Sequence, residues 1–353
     1  MGYDILGPTV KNGAIVLGQI RKEDDLPIGW MDEQAPGRYE LKRRQDNALF
    51  GYNLGPHSWK KYLFPSEEKL YTIQKQNGAL SLLQEAPRQE KKAFLAVRAC
   101  EIEAIKIQDK VFIDQPHQYK GYSERRENLL IIAVNCTRHV STCFCTAMRC
   151  GPKVTYGYDI ALTELLEDGS HTFLIDVLTE KGRKLISVLP TTKADAKTCT
   201  KALGLIEKNA ATMKKEIDTE AVRDMLKKSW FYKQWDDVAL RCVSCGNCTS
   251  ACPTCFCSKR EEVVSLSDDR VDTMQRWESC FNLSHSYVHG GSVRYSLKSK
   301  YRQWLTHKFS TWWDQFGLSG CVGCGRCITW CPVGIDVRKE LVALQKEDDE
   351  NNS

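Results

Sequence analysis

Residues 242–257 read CVSCGNCTSACPTCFC, and residues 321–336 answer with CVGCGRCITWCPVGID. Both contain the run Cys-x2-Cys-x2-Cys-x3-Cys-Pro, a spacing with a mechanical meaning. Gaps of two residues let three thiolates curl around three corners of one iron–sulfur cubane, while Gly246 and Gly325 let backbone amides approach the sulfurs. The fourth cysteine, followed by proline, points away and ligates the other cluster. Cys242, Cys245, Cys248 and Cys331 therefore read as the ligands of one [4Fe–4S] cluster. Cys252, Cys321, Cys324 and Cys327 read as those of a second. Zinc also uses Cys-x2-Cys pairs, but it wants two pairs rather than a run of four closed by proline, and it leaves the duplication unexplained. The expectation is a ferredoxin-like, α-helical dicluster domain over residues 237–346, with a large insert at 258–320 and a disordered tail at 347–353.

Three thiols near the first ladder are left over: Cys255, Cys257 and Cys280. They are one short of a cubane, so they read as a competing site or as buried structural residues. The insert carries GGSVRYSLKSKYRQWLTHKF, residues 290–309, with Arg294, Lys298, Lys300, Arg302 and Lys308. Charge runs are usually surface, so the expectation is a solvated helix with Tyr301 and Trp304 packed inward; the competing reading is a docking face. His285, His289 and His307 read as structural rather than as ligands.

Upstream of the ladders, residues 193–235 are rich in Ala, Lys, Glu and Leu and predict two helices, the second over Thr219 to Trp235 with Leu226, Trp230 and Phe231 as its buried face. This is the helical connector, residues 191–236. Residues 1–190 predict an α/β domain. FLAV at 94–97 and LLIIAV at 129–134 are short aliphatic runs of the kind that form strands buried on both faces. EIEAIKIQDKVF between them has helical spacing, so strand, helix and strand make a parallel unit. Asp159 to Leu166 and His171 to Leu178 predict a hairpin turning at Asp168-Gly169. The first 90 residues carry turn signals at Gly7-Pro8, Pro36-Gly37 and Gly55-Pro56 and read as irregular α+β.

Cys100 follows the first buried strand and Cys136 the second, with Cys143 and Cys145 close behind. The carboxyl ends of parallel strands line the crevice where ligands bind. Cys100, Cys136, Cys143 and Cys145 thus predict a third [4Fe–4S] site, with Cys150 in reserve; the bland alternative is cysteine acting as a small buried hydrophobe.

Seventeen cysteines, ten of them in the two ladder segments, do not resemble the even, dispersed pattern of a secreted disulfide scaffold. The formal charge of +5 misleads, because each cluster with four thiolates contributes about −2. No nucleic-acid binding is expected. The opening MGYDILGPTV has neither a basic start nor an apolar core, and the longest aliphatic run is too short to cross a bilayer. The expected setting is cytoplasmic, without direct membrane insertion. No Gly-x-Gly-x-x-Gly follows a strand, and no Gly-x4-Gly-Lys-Ser/Thr loop is present. The widely separated Cys-x2-Cys pairs needed for nickel–iron catalysis are missing too. The chain reads as wiring, with the chemistry at each end left to other subunits.

DLPIGWMDEQAPGRYEL (25–41), VRACEIEAI (97–105), CFCTAM (143–148) and the two ladder segments together resemble the beta subunit of soluble NAD(P)-linked nickel–iron hydrogenases, the sulfhydrogenases. The iron–sulfur component of anaerobic sulfite reductase is similar. The likeness covers nearly the whole chain; Cys-Phe-Cys and the CPTCFC extension narrow it beyond ferredoxins in general. It departs at Glu101, where the family pattern expects Asp. The resemblance implies an electron relay in a hetero-oligomer, between a flavin subunit handling NAD(P)H and a nickel–iron hydrogenase module. The alternatives are a relay in an anaerobic sulfite or sulfur reductase, or a chain that itself reduces sulfur or disulfides through Cys255, Cys257 or Cys280.

Overall fold

The computed structural model describes residues 2–76, 79–84, 90–167, 169–214 and 217–352. Its strands are β1 (Asp4–Lys11), β2 (Ala14–Gln19), β3 (Trp30–Ala35), β4 (Arg38–Arg43), β5 (Glu67–Gln76), β6 (Ala79–Leu83), β7 (Lys92–Val97), β8 (Leu129–Val134), β9 (Ile160–Glu167), β10 (Ser170–Val177), β11 (Ser258–Val264) and β12 (Arg270–Trp277), besides two two-residue strands in the insert. The larger sheet has the order β10-β9-β8-β7-β1-β2. Strands β1, β7, β8 and β9 run parallel, and antiparallel hairpins close both edges. The two aliphatic runs occupy the sheet centre, buried on both faces as such runs must be. The helix Ala99–Phe112 crosses between them, burying Ile102, Ile105 and Ile107. The expected hairpin is β9–β10, with Ser170 opposite Glu167; Asp168 lies outside the described residues.

The N-terminal stretch is more regular than its turn signals imply. Gly7-Pro8 lies inside β1. Pairing to β7 ends at Leu6, so the nitrogen that proline cannot use costs that ladder nothing. Pro36-Gly37 does turn a hairpin, β3–β4, and its tip docks on the second ladder. There the Gly37 N–H donates to Ile328 O at 3.1 Å, and a Cβ on Gly37 would stand 3.0 Å from Cys331 O.

The insert does not stay within the cysteine-rich module. Its hairpin β11–β12 joins β5 and β6 in a second, antiparallel sheet of order β11-β12-β5-β6. The helix Leu297–Thr306 follows, burying Tyr301 and Trp304 as expected, and runs through a π-type turn at His307–Thr311 into Trp312–Phe316. The charged stretch is only partly surface, because Lys300 and Lys308 are buried.

Two further expectations are corrected. The second connector helix ends at Lys228, and a separate helix begins at Gln234. The Trp235 indole N–H takes Ser229 O at 2.5 Å, a carbonyl that a continuing helix would have used. Leu226 stays buried, but the broken register turns Trp230 (56% exposed) and Phe231 (94%) outward. The disorder expected from 347 on is not what the described residues show: the last helix, Val337–Asn351, continues through 351. Its Asp348 side chain bonds Tyr232 and Lys228, and Glu347 caps the Lys233 and Gln234 N–H groups. Among the described residues no helix is long and apolar enough to cross a membrane.

Candidate metal centres

The two ladders share one local design. Ser244 N–H and Gly323 N–H each reach back to the first sulfur of their ladder, Cys242 Sγ and Cys321 Sγ, at 3.4 Å. Gly246 (φ 75°) and Gly325 (φ 76°) then enter short helical turns, Asn247–Ser250 and Arg326–Thr329. In the second ladder the glycines also answer crowding. A Cβ on Gly325 would lie 2.4 Å from Thr142 O, and one on Gly323 would lie 2.6 Å from Phe144 O. The second ladder therefore packs directly on the Thr142–Cys145 loop, with Phe144 N–H donating to Gly323 O at 2.9 Å.

Each ladder set surrounds a cavity. Cys242, Cys245, Cys248 and Cys331 line the first, with Phe281, Tyr301, Trp304 and Val333 in its wall. Cys252, Cys321, Cys324 and Cys327 line the second, with Phe144, Trp304 and Lys308. Cys331 thus sits with the first ladder and Cys252 with the second. Cys327 touches both cavities, and Trp304 forms part of both walls. Among the described residues, no three His, Cys, Asp or Glu side chains converge closely enough to hold a single metal ion. The thiols stand around a space, as ligands of a multi-atom cluster do. Tyr301 Oη and Trp304 Nε1 are buried there without a hydrogen-bond partner, donors suited to an acceptor such as cluster sulfide. A [4Fe–4S] group fits this donor set.

Burial pushes the Cys242, Cys248, Cys324 and Cys327 thiols up, and Cys321 to about 12. Cys252 goes the other way, well below the usual thiol value. The Cys255 S–H donates to it, and Lys308 and Thr254 add to that pull against desolvation.

The third set gathers where β7 and β8 end. A bulge at Ala96 (φ 68°) breaks the β7–β8 register just before Arg98 and Cys100, a typical bulge position beside a functional site. Cys145 lies within electrostatic reach of Cys143, Cys136 and Cys150, and Cys100 within reach of Cys324 and Cys145. Burial pushes Cys143 up to about 12 and Cys100 and Cys145 well above the usual value. Arg98 Nη1 stands 4.0 Å from Cys136 Sγ, and Asn53 Oδ1 stands 4.0 Å from Cys143 Sγ. Arg98 Nε and Asn53 Nδ2 are buried donors without partners. Four thiols ringed by spare donors again suit a cluster. Cys150, the reserve ligand, lies beside Cys145, its N–H donating to Cys145 O at 2.8 Å and its sulfur 3.1 Å from Met148 O.

Cys255, Cys257 and Cys280 lie close to the first ladder. Cys255 is hydrogen-bonded to Cys252, and Cys280 sits beside Cys248 and Cys257. Cys255 and Cys257 line a polar cleft with Lys60, Cys245 and Glu278. Of the histidines, His307 bonds Gln315 at 3.1 Å, His285 faces Glu278 at 3.8 Å, and His289 is exposed; none lines a thiol cavity. Sequence reasoning missed three groups around the thiols: Lys60, Lys308, and the buried pair Arg326–Glu101 at 2.5 Å beside Cys324 and Cys100. Only the last had a signal, since Arg326 lies inside a ladder and Glu101 adjoins Cys100.

Residues 241–335 match the family of the 4Fe-4S dicluster domain. Over 328 residues, spanning 91% of this chain and 92% of the relative, the sequence is 30% identical to sulfhydrogenase 2 subunit beta of Pyrococcus furiosus. No solved structure matches the chain. Its cofactors are [4Fe–4S] clusters, and its part is electron transfer. The chain belongs to the family of sulfhydrogenase beta subunits.

Proposed function

We propose that the chain relays electrons between a flavin subunit that handles NAD(P)H and a nickel–iron hydrogenase module, within a cytoplasmic hetero-oligomer. Cys242, Cys245, Cys248 and Cys331 hold one cluster, Cys252, Cys321, Cys324 and Cys327 a second, and Cys100, Cys136, Cys143 and Cys145 a third. The observation that carries this reading is the exchange of fourth cysteines between the two ladder cavities. When bound, each cluster supplies a one-electron carrier.

The chain's own residues hold the carriers in series. Cys327 and Trp304 are shared by the ladder sites, and Gly323 and Gly325 press the second ladder onto the loop bearing Cys143 and Cys145. Apolar walls exclude water from the ladder sites, apart from the exposed Cys245 corner.

Purification of the chain with its bound partners tests the relay: nickel and flavin in the co-purifying subunits support it, and sirohaem in their place overturns the hydrogenase assignment. Cys324→Ser should lose about four irons per chain while the larger sheet stays folded by circular dichroism. An iron content equal to that of the parent contradicts the ligand assignment.

A further inference from the structure

Two lysines are buried beside the second ladder site, and neither is paired with a carboxylate among the described residues. Lys308, 4% exposed, lies in the π-type turn His307–Thr311, a local widening of the helix often found at functional sites. Its ammonium donates to Thr254 Oγ1 at 3.0 Å and to Gly320 O at 3.2 Å, and Thr254 Oγ1 stands 3.1 Å from Cys252 Sγ. Lys60, 3% exposed, donates to Cys255 O at 3.1 Å and lies 3.8 Å over the Trp277 ring. An ammonium taken from water without an anion is strongly disfavoured. The anionic group in reach of both is sulfur: Cys252 as a cluster thiolate, joined by Cys321 around Lys308.

The first ladder site lacks such a charge, and the third set has its own in Arg98 beside Cys136. No lysine or arginine lines the first ladder cavity. Arg326, beside Cys324, is neutralised by Glu101 at 2.5 Å. Reduction adds an electron to a cluster, so a fixed positive charge in a dry wall stabilises the reduced form and raises the potential. Trp304 lines both cavities and is common to the two sites. Tyr301 Oη and solvent at Cys245 act on the first site as neutral dipoles, weaker than full charges in a dry wall.

We propose that Lys308 and Lys60 form a cationic clamp on the Cys252 corner, making the second ladder cluster the more oxidising of the ladder pair and the place where electrons collect. The clamp rests on the ligand sets proposed above.

The test is an EPR-monitored redox titration of the anaerobically prepared full chain. Two ladder signals should titrate at separate midpoints, and the signal abolished by Cys324→Ser should have the higher one. Lys308→Met should lower that midpoint by at least about 59 mV, a tenfold change in a one-electron equilibrium. The other midpoint should stay in place, and Lys308→Arg should restore the first. Should Lys308→Met shed iron, the midpoint of Lys60→Met decides on direction, with a fall expected. Unmoved midpoints at full iron content overturn the clamp and leave the relay standing. A parent chain without clusters overturns both.

Discussion

Gly325 and Gly246 occupy equivalent corners of the two ladders with nearly the same backbone, yet they face different neighbours. A Cβ on Gly246 would meet Ser279 Oγ at 3.2 Å, the end of a side chain that can turn away. A Cβ on Gly325 would meet the Thr142 carbonyl at 2.4 Å, which is backbone and cannot. Gly246→Ala should therefore cost about 1–2 kcal/mol, the left-handed penalty alone. Gly325→Ala adds overpacking of about 1–3 kcal/mol and should disturb the Cys143–Cys145 loop as well. Chemical denaturation of the two variants checks this; equal losses contradict it. Glu101→Gln, which strands the Arg326 guanidinium in the interior, should destabilise by about 3–5 kcal/mol in the same assay. The dicluster ladders could be read from sequence because ligand spacing is local and chemically restrictive. Lys308 could not, because a lysine in a charged run looks solvated until the π-type turn carries it inward.

Elements formed by local burial were equally legible. FLAV and LLIIAV declared β7 and β8 because two buried faces leave no room for polar alternation. The pairing of β12 with β5 joins segments about 200 residues apart, and no local periodicity encodes such a partnership. The connector break at Ser229 was hidden for a related reason: it depends on an indole six residues on. The π-type turn also makes a pH prediction. Burial holds the His307 imidazole below its ordinary value of 6.5. The unfolded chain therefore takes up a proton near pH 6.5 before the folded chain does, and stability falls as the pH drops below that point. His307→Gln should flatten the dependence of the melting temperature on pH between about 7 and 5. A slope equal to that of the parent contradicts this.

Across the whole molecule, the N-terminal sheet and the cysteine-rich module interlock rather than sit side by side. The β3–β4 tip reaches Cys331, β12 pairs with β5, and the second ladder presses on the Cys143–Cys145 loop. Those contacts put three thiol sets in one continuous interior, an arrangement suited to moving electrons across the chain in short steps. Low-temperature EPR of the dithionite-reduced, anaerobically purified chain, with an iron count on the same sample, is the most direct test that these thiols hold clusters. The expected result is a brown protein with at least about eight irons per chain and signals of reduced, interacting [4Fe–4S] centres. A colourless, EPR-silent protein of the same fold contradicts it.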